Sequence, residues 1–307
     1  MKKLFALISL LGLLTACAGQ DHLNQGKKLL AEEKYAEAEA AYLKATEDDA
    51  KNPEAWSGLA TARVQQSKIE EAFKDYGKAI QVARENKASA LDIGRYSFDR
   101  GVLFYVQAQY ENAQVDFEEA VKGNYKRGEA DAYLGATVGF LGDDIGALQH
   151  LNEAVRQDPS SHFAWSNRGY YNSKLGDNKT AIYDLTKAIE LLPEDKVAYL
   201  NRGYTYIGMG DYEKALVDID KALTIDPDYL GAIAYKGIAL TNTDKQAEAL
   251  PWLDRAIKLQ PDNPAFYYYR GTARVSVGML DSACVDLLRA EAGGHMDGKA
   301  LREQVCK

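Results

Sequence analysis

The side chains of this sequence that could carry out chemistry include four histidines and several adjacent acids, and neither group has the spacing that a reaction needs. Acid pairs such as Asp48-Asp49 and Glu118-Glu119 are typical of solvated helix faces rather than of catalytic carboxylates. The sequence contains no G-x-S-x-G elbow, no P-loop and no dinucleotide fingerprint. The histidines have neither H-x₃₋₅-H spacing nor a C-x-x-C neighbour: His22, His150, His162 and His295. We predict a protein that is not an enzyme and has no metal, cofactor or small-molecule substrate.

A cysteine near the start has a sequence context that indicates covalent modification. Lys2 and Lys3 precede an apolar run over residues 4–14, which is shorter than the about 20 residues that span a bilayer, so we interpret it as a cleaved signal. The segment Leu14-Thr15-Ala16-Cys17 resembles the bacterial lipobox. That resemblance implies a signal peptide over residues 1–16, cleavage after Ala16 and acylation of the Cys17 thiol. The alternative is an ordinary secretory signal followed by an incidental cysteine.

The residues after Cys17 bear on where such a lipoprotein would reside. Ala18 and Gly19 follow the cysteine, whereas an Asp there retains enterobacterial lipoproteins at the inner membrane. By resemblance, we expect a lipid-anchored protein of the bacterial cell envelope, at the outer membrane and facing the periplasm. Loss of Lys2 and Lys3 with the signal changes the net charge from −8 to −10, and this acidic balance argues against nucleic acid as a partner.

The other two cysteines stand close to the end of the chain. An even number of remaining cysteines in an exported protein indicates a disulfide, here between Cys284 and Cys306. The double glycine Gly293-Gly294 lies between them, and antiparallel helices joined there would bring the two thiols to similar heights. The alternative is two buried thiols.

An internal repeat organises the sequence. Glycines recur every 34 residues, and two sets of alanines keep the same period. The glycines are Gly101, Gly135, Gly169, Gly203, Gly237 and Gly271; the first alanine set is Ala113, Ala147, Ala181, Ala215, Ala249 and Ala283; the second is Ala120, Ala154, Ala188, Ala222, Ala256 and Ala290. Small residues at these positions would let two helices of one hairpin approach closely, while larger apolar residues fill the space between hairpins.

The repeating unit resembles the tetratricopeptide repeat. The unit from Lys196 carries its pattern of aromatic, small and apolar residues, ending on a proline: Tyr199, Gly203, Tyr206, Ala215, Ile219, Ala222 and Pro227. The resemblance implies an all-α fold, a right-handed superhelical solenoid of about eight helix hairpins with a C-terminal capping helix. We expect one continuous body without a linker.

The period assigns boundaries to the units. They are 17–52 for the lipidated N-terminus and first repeat, 53–93 for the second repeat, 94–127, 128–161, 162–195, 196–229, 230–263 and 264–294 for the remaining six, and 295–307 for the capping helix. Seven additional residues fall between the second and third repeats, around Lys87 to Ile93. They contain no Pro or Gly, so we predict that they extend a helix and separate the first two repeats from the others.

Four repeats place an arginine just before the glycine and an aspartate sixteen residues later. The pairs are Arg100 with Asp116, Arg168 with Asp184, Arg202 with Asp218, and Arg270 with Asp286. Where the arginine is replaced by Leu134 or Lys236, the aspartate is replaced as well, by His150 or Trp252. This joint replacement predicts structural ion pairs. The alternative is a ladder of arginines that binds an acidic ligand.

The resemblance also transfers a binding surface, because the first helices of successive hairpins line a concave groove in this family. The matching positions are mostly apolar or aromatic: Phe98, Tyr105, Phe140, Phe163, Tyr170, Leu200, Tyr204 and Tyr268. The basic residues with which some members clamp a C-terminal carboxylate are missing, so an apolar or aromatic peptide segment is the expected ligand. The alternative is that several of these rings pack between hairpins.

These observations support two hypotheses about function. In the first, the protein is a membrane-anchored scaffold or adaptor whose partners are one or more envelope proteins, held in the groove. In the second, it is a structural or self-associating envelope lipoprotein without a specific peptide ligand. The membrane is contacted through the N-terminal lipid in both.

The lipid anchor can be tested by replacing its attachment site. Multiple acyl chains hold a protein at a membrane because each buried CH₂ contributes about 0.8 kcal/mol. Cys17→Ser should therefore release the protein into the soluble fraction and abolish labelling with a radioactive or clickable fatty acid. Persistent membrane association of a cleaved, unlabelled Cys17→Ser protein would contradict the lipoprotein assignment.

Overall fold

The computed structural model describes residues 20–306, and these form seventeen helices and no strand. Consecutive helices pair into hairpins, so the all-α hairpin fold expected from the sequence is confirmed. The signal segment and Cys17 lie outside the described residues. Within residues 20–306, each helix is too short or too polar to span a lipid bilayer.

The chain divides into two compact units, the first ending at Pro159 and the second beginning at Ser160. The first unit contains four hairpins: α1 (20–31) with α2 (Tyr35–Asp48), α3 (Pro53–Val64) with α4 (Ile69–Glu85), α5 (Ala90–Val106) with α6 (Tyr110–Lys122), and α7 (Arg127–Phe140) with α8 (Asp144–Gln157). The second contains four more and a final helix: α9 (His162–Lys174) with α10 (Asn178–Leu191), α11 (Lys196–Gly208) with α12 (Tyr212–Ile225), α13 (Leu230–Thr241) with α14 (Gln246–Leu259), α15 (Pro264–Ser276) with α16 (Leu280–Ala292), and α17 (Met296–Val305).

The repeated glycines are the points where the two helices of a hairpin come closest. A Cβ atom at Gly169 would lie 2.6 Å from Cγ of Leu185, and one at Gly237 would lie 2.7 Å from Cγ of Leu253. Leu185 and Leu253 are fully buried, as is the corresponding residue of the hairpins that contain Gly101, Gly135, Gly203 and Gly271. Each of these six hairpins is therefore closed by one large apolar side chain that rests on bare backbone.

Two kinds of residue make the sharp turn inside several hairpins. Gly176 and Gly210 adopt positive φ angles of 89° and 77°, a conformation that costs glycine little. The residue after each of them caps the second helix: Asp177 accepts a hydrogen bond from the backbone N–H of Thr180, and Asp211 accepts one from Lys214. Sequence signals at this turn thus set where the second helix begins.

The additional residues after the second repeat differ in part from the expectation. Ala90 to Ile93 are helical and lengthen the start of α5, but Lys87 lies in a turn with a φ of 56° and Ser89 caps α5 through the N–H of Asp92. The two long helices α4 and α5 then pack through a buried cluster that includes Ile80 and Tyr96. The division between compact units falls after Pro159 and not after the second hairpin, where the sequence predicted a separation.

The second unit ends in a helix that is covalently tied to its neighbour. Cys284 on α16 and Cys306 after α17 form a disulfide, with their Cα atoms 5.7 Å apart. Arg302 donates to the Glu291 carboxylate at 2.6 Å, and Gly298 lets α17 approach Ala290 closely. Helix α17 therefore covers the end of the last hairpin, which would otherwise expose an apolar face.

The closing contact can be tested within a single helix. Gly203→Val should lower the free energy of unfolding by about 1–3 kcal/mol, since a Cβ at this position would lie only 3.0 Å from Ile219. Gly208 is the matched control in the same helix: a Cβ there meets nothing within 4 Å, and Gly208→Ala should stabilise the helix by up to about 1 kcal/mol. Thermal melts of both variants measure the difference, and equal melting temperatures would show that this contact does not limit packing.

Candidate peptide-binding surfaces

The first helices of successive hairpins form one layer in each unit. In the second unit α9 contacts α11, α11 contacts α13 and α13 contacts α15 directly. In the first unit α5 contacts α7 in the same way. We call the side of each unit that these first helices line its inner face. Side chains at equivalent positions of neighbouring repeats lie next to one another there.

Four tyrosines occupy the inner face of the second unit, and we call them the tyrosine surface: Tyr170, Tyr204, Tyr235 and Tyr269. All four are half-buried. The rings of Tyr204 and Tyr235 stack with their centroids 5.5 Å apart. Burial, with the neighbouring tyrosines as a smaller contribution, raises the pKa of Tyr235 to about 12, so its hydroxyl stays protonated. These rings present aromatic faces together with hydroxyl groups.

The hydroxyl groups of this surface remain available to a ligand. Among residues 160–306, no side chain forms a hydrogen bond with the hydroxyl of Tyr235 or of Tyr269. Both hydroxyl groups are accessible to solvent, so water can satisfy them in the free protein. A bound peptide backbone could replace that water as the hydrogen-bond acceptor.

The first unit has an inner face of different chemistry. A groove of about 350 Å³ lies between α3, α4, α5 and α7, and we call it the acidic groove. Its walls are mostly apolar, and two carboxylates, Asp99 and Glu129, lie among them. The lining residues are Thr61, Val64, Gln65, Ile69, Tyr76, Phe98, Asp99, Val102, Leu103, Val106, Gln107, Glu129 and Tyr133.

Asp99 is the carboxylate of this groove with the most perturbed environment. Burial raises the pKa of its carboxyl to about 6, an effect that the charges of Lys126 and Arg95 oppose and that of Glu129 reinforces. No hydrogen bond to a side chain contributes to its state. The side chain therefore holds a charge in a poorly solvated place without a direct partner among the described residues.

A second group of rings lies at the end of the same face. Tyr110 and Phe140 stack with centroids 4.6 Å apart, and Tyr105 meets the edges of both rings. Phe140 is 56% exposed. Tyr105 and Phe140, which the sequence assigns to the groove, are thus accessible to different degrees and belong to one cluster.

The structure corrects the groove assignment at two positions. Phe98 is buried among Phe117, Tyr125 and Tyr133, and Leu200 is buried where it meets the bare backbone of Gly231. Both side chains point into the packing between hairpins, so they expose little surface to a ligand, although Phe98 also lines the acidic groove.

The remaining candidates differ in what covers them. The ring of Tyr268 stacks on His295, the residue that caps α17, with their centroids 4.3 Å apart. Phe163 is half-buried. Tyr170 and Tyr204 lie on neighbouring first helices and belong to the tyrosine surface.

Sequence reasoning missed the position that lies one turn before Tyr170 and Tyr204 in their repeats. In other repeats this position holds Asp99, Tyr133, Tyr235 and Tyr269. All four are half-buried on an inner face. The 34-residue period could have identified this position, since Asp99 and Tyr133 are 34 residues apart, as are Tyr235 and Tyr269. The sequence prediction of the groove did not include it.

The predicted arginine–aspartate pairs are bidentate in every case. Two nitrogens of each guanidinium donate to the two oxygens of its aspartate at distances of 2.6–2.8 Å, and each aspartate is almost fully buried. The pairs are Arg100–Asp116, Arg168–Asp184, Arg202–Asp218 and Arg270–Asp286. This geometry favours the structural alternative over a ladder that binds an acidic ligand, because the arginines already neutralise buried carboxylates.

Two repeats that lack the arginine–aspartate pair make other polar contacts at the equivalent positions. In the fourth hairpin, buried Asp131 accepts from Arg127 at 2.9 Å and lies 3.4 Å from His150. In the seventh, the ammonium group of Lys236 lies 4.1 Å from the ring centre of Trp252 and binds Asp220 at 2.7 Å. Within residues 20–306, no group of three metal-binding side chains comes together.

Because the Asp99 carboxylate in the acidic groove has no direct partner, we predict that removing its charge stabilises the protein. Asp99→Asn should raise the free energy of unfolding near pH 7.5 by on the order of 1–3 kcal/mol, because the wild type must keep this poorly solvated group ionised. The gain should shrink as the pH falls from 6 toward 4, since folded Asp99 binds a proton before the unfolded chain does. Denaturant melts across this range measure it, with exposed Glu111→Gln as control. A loss of stability near pH 7.5 would contradict the assignment.

Comparison with known proteins agrees with this architecture. Models of the tetratricopeptide repeat match residues 23–90 and 197–229. The chain has no significant match among curated proteins.

Solved structures show the same fold at low sequence identity. The APC/C hetero-tetramer Cut9–Hcn1 aligns with a TM-score of 0.68 at 14% identity, over 93% of this chain and 55% of that one. A tetratricopeptide repeat protein from Parabacteroides merdae aligns at 0.63 and 17%, over 83% and 98%. Pseudomonas aeruginosa pilF aligns at 0.60 and 17%, over 71% and 96%. The chain thus contains tetratricopeptide repeats, and its hairpins have the fold of tetratricopeptide-repeat solenoids.

Proposed function

We propose that this protein is a membrane-anchored scaffold of the bacterial envelope that binds peptide segments of partner proteins on the tyrosine surface of its second unit. A tetratricopeptide-repeat fold suggests a scaffold for protein–protein interactions. The observation that carries the proposal is the contiguous set of half-buried tyrosines on neighbouring first helices, with hydroxyl groups that the protein leaves unpaired.

The chemistry of this surface suits an extended apolar or aromatic segment. Tyrosine rings bury a large area on binding but have only two side-chain torsions to immobilise, so they contribute affinity at a small entropic cost. Their hydroxyl groups can donate to peptide carbonyls that would otherwise lose water. The arginines of the same hairpins are bound to their own aspartates, which disfavours a ligand selected for negative charge.

Membrane attachment is the second part of the proposal and rests on the sequence around Cys17. An acylated Cys17 lies three residues before the first described helical residue, Gln20. The lipid would therefore hold the first hairpin close to the membrane surface. The disulfide between Cys284 and Cys306 is consistent with an oxidising compartment such as the periplasm.

The binding surface can be tested with a photo-crosslinking residue at position 204 of the protein in its native membranes. A partner that docks on the tyrosine surface should be crosslinked from position 204. The matched control is position 183, because Tyr183 is 56% exposed but lies on the second helix of its hairpin. Tyr170→Ala with Tyr204→Ala should lower the affinity of the captured partner by about thirtyfold or more, since central aromatic anchors typically contribute about 2 kcal/mol or more each.

Three results would argue against this function. One is a double variant that binds the partner as tightly as the wild type. Another is a double variant that melts much earlier while its folded fraction binds normally, because the rings would then be core. The third is a crosslink from position 204 to a second copy of this chain alone, which would support the self-associating envelope lipoprotein instead.

A further inference from the structure

Asp99 differs from the fully buried aspartates of the first unit, each of which is bound by an arginine. Asp75 is bound by Arg63 at 2.6 Å, Asp116 by Arg100 at 2.7 Å and Asp131 by Arg127 at 2.9 Å. Asp99 faces the acidic groove instead and has no direct partner among residues 20–159. The fold thus pairs each of these three fully buried carboxylates with an arginine and leaves the half-buried Asp99 in an open groove.

The cations nearest to Asp99 are already engaged elsewhere. The ammonium group of Lys126 binds Glu129 at 3.0 Å and lies over the ring of Phe98. Arg95 donates through Nη2 to the hydroxyl of Tyr96 at 2.8 Å and lies 4.0 Å from Glu54, and its buried Nε atom has no hydrogen-bond partner among the described residues. Both cations act on Asp99 only at longer range. A ligand that brings its own positive charge would therefore find an acceptor that no side chain of the protein occupies.

We propose that the acidic groove of the first unit binds the side chain of a lysine or arginine that lies within an otherwise apolar peptide segment, with Asp99 as its counterion. The proposal rests on the proposed function to the extent that the ligand is a peptide of a partner protein. It adds a second site, on the other unit and with a different ligand chemistry from the tyrosine surface.

The walls of the groove match such a side chain along its length. Lysine and arginine cover apolar surface with their methylene stems while the charged end seeks a polar partner. Ile69, Val102 and Leu103 supply the apolar wall, and the rings of Tyr76 and Tyr133 line the groove beside Asp99. A volume of about 350 Å³ is at the small end for ligand sites and suits one or two side chains rather than a folded surface.

Charge complementarity selects against the other classes of side chain. An acidic side chain would meet Asp99 and Glu129, both of which line the groove. A purely apolar side chain would bury the Asp99 carboxylate further without pairing it, which is costly. The net charge of −8 on the whole chain also favours the approach of basic segments.

The test uses two fluorescein-labelled peptides, acetylated and amidated at their ends so that the terminal charges are absent. One places a single lysine between leucines, and the other replaces that lysine by norleucine, which keeps the stem and removes the charge. Fluorescence anisotropy with the full mature chain should show at least about tenfold tighter binding of the lysine peptide. Asp99→Asn should abolish this preference by weakening the lysine peptide about tenfold, since pairing with a charged group contributes about this much. The norleucine peptide should bind Asp99→Asn at least as tightly as the wild type, because it no longer buries an unpaired carboxylate.

Two controls separate the site from other effects. Glu111→Gln removes an equal charge from an exposed position on α6 and should keep the full preference. Tyr170→Ala with Tyr204→Ala should also keep it, so a failure of the tyrosine surface to bind partners does not affect this result. Thermal melts verify that Asp99→Asn is folded.

Three outcomes would overturn the proposal. The first is equal binding of the lysine and norleucine peptides by the wild type. The second is a lysine preference that survives Asp99→Asn. The third is the absence of measurable binding of the lysine peptide at about 1 mM protein, which would show that the groove has no useful affinity for this class of side chain.

Discussion

The hairpins of this protein depend on close contact between two helices at a position without a side chain. At Gly169, Gly203 and Gly237 the backbone of the first helix rests on a large apolar residue of the second, and an added Cβ would lie only 2.6–3.0 Å from that residue. This contact fixes the distance between the two helix axes, and it therefore also fixes the distance between side chains on either side of it. Each arginine that precedes such a glycine reaches its aspartate on the facing helix with both nitrogens.

The same geometry explains why charges can be buried throughout the hairpins. A buried carboxylate needs a partner at a fixed distance, and a bidentate guanidinium supplies two hydrogen bonds and the opposite charge together. Where the arginine is absent, the protein changes both members: His150 faces Asp131, and Lys236 lies over Trp252. Asp99 differs from these buried carboxylates, because no side chain among the described residues pairs with it directly.

The two units present different chemistry on equivalent positions of the repeat. The position that holds Asp99 and Tyr133 in the first unit holds Asn167, Asn201, Tyr235 and Tyr269 in the second, and Asp99 is the only charged residue among these six. One scaffold therefore offers an acidic groove in one unit and an aromatic surface with free hydroxyl groups in the other. Because each site is built from neighbouring hairpins of one unit, a substitution in one need not disturb the other.

The sequence alone determined the helices, their pairing into hairpins and the residues that close each hairpin, because the 34-residue period and the glycine and aspartate turn signals are properties of local sequence. Only the tertiary structure decided which neighbouring residues face outward. Phe98 is almost fully buried at the edge of the groove and Asp99 is half-buried in it, although they are adjacent and differ by a rotation of about 100° around the helix. That difference depends on what the next hairpin places opposite, since Tyr125 and Tyr133 cover Phe98 and Gly231 admits Leu200. Such contacts join residues far apart in sequence, and a repeat pattern does not specify them.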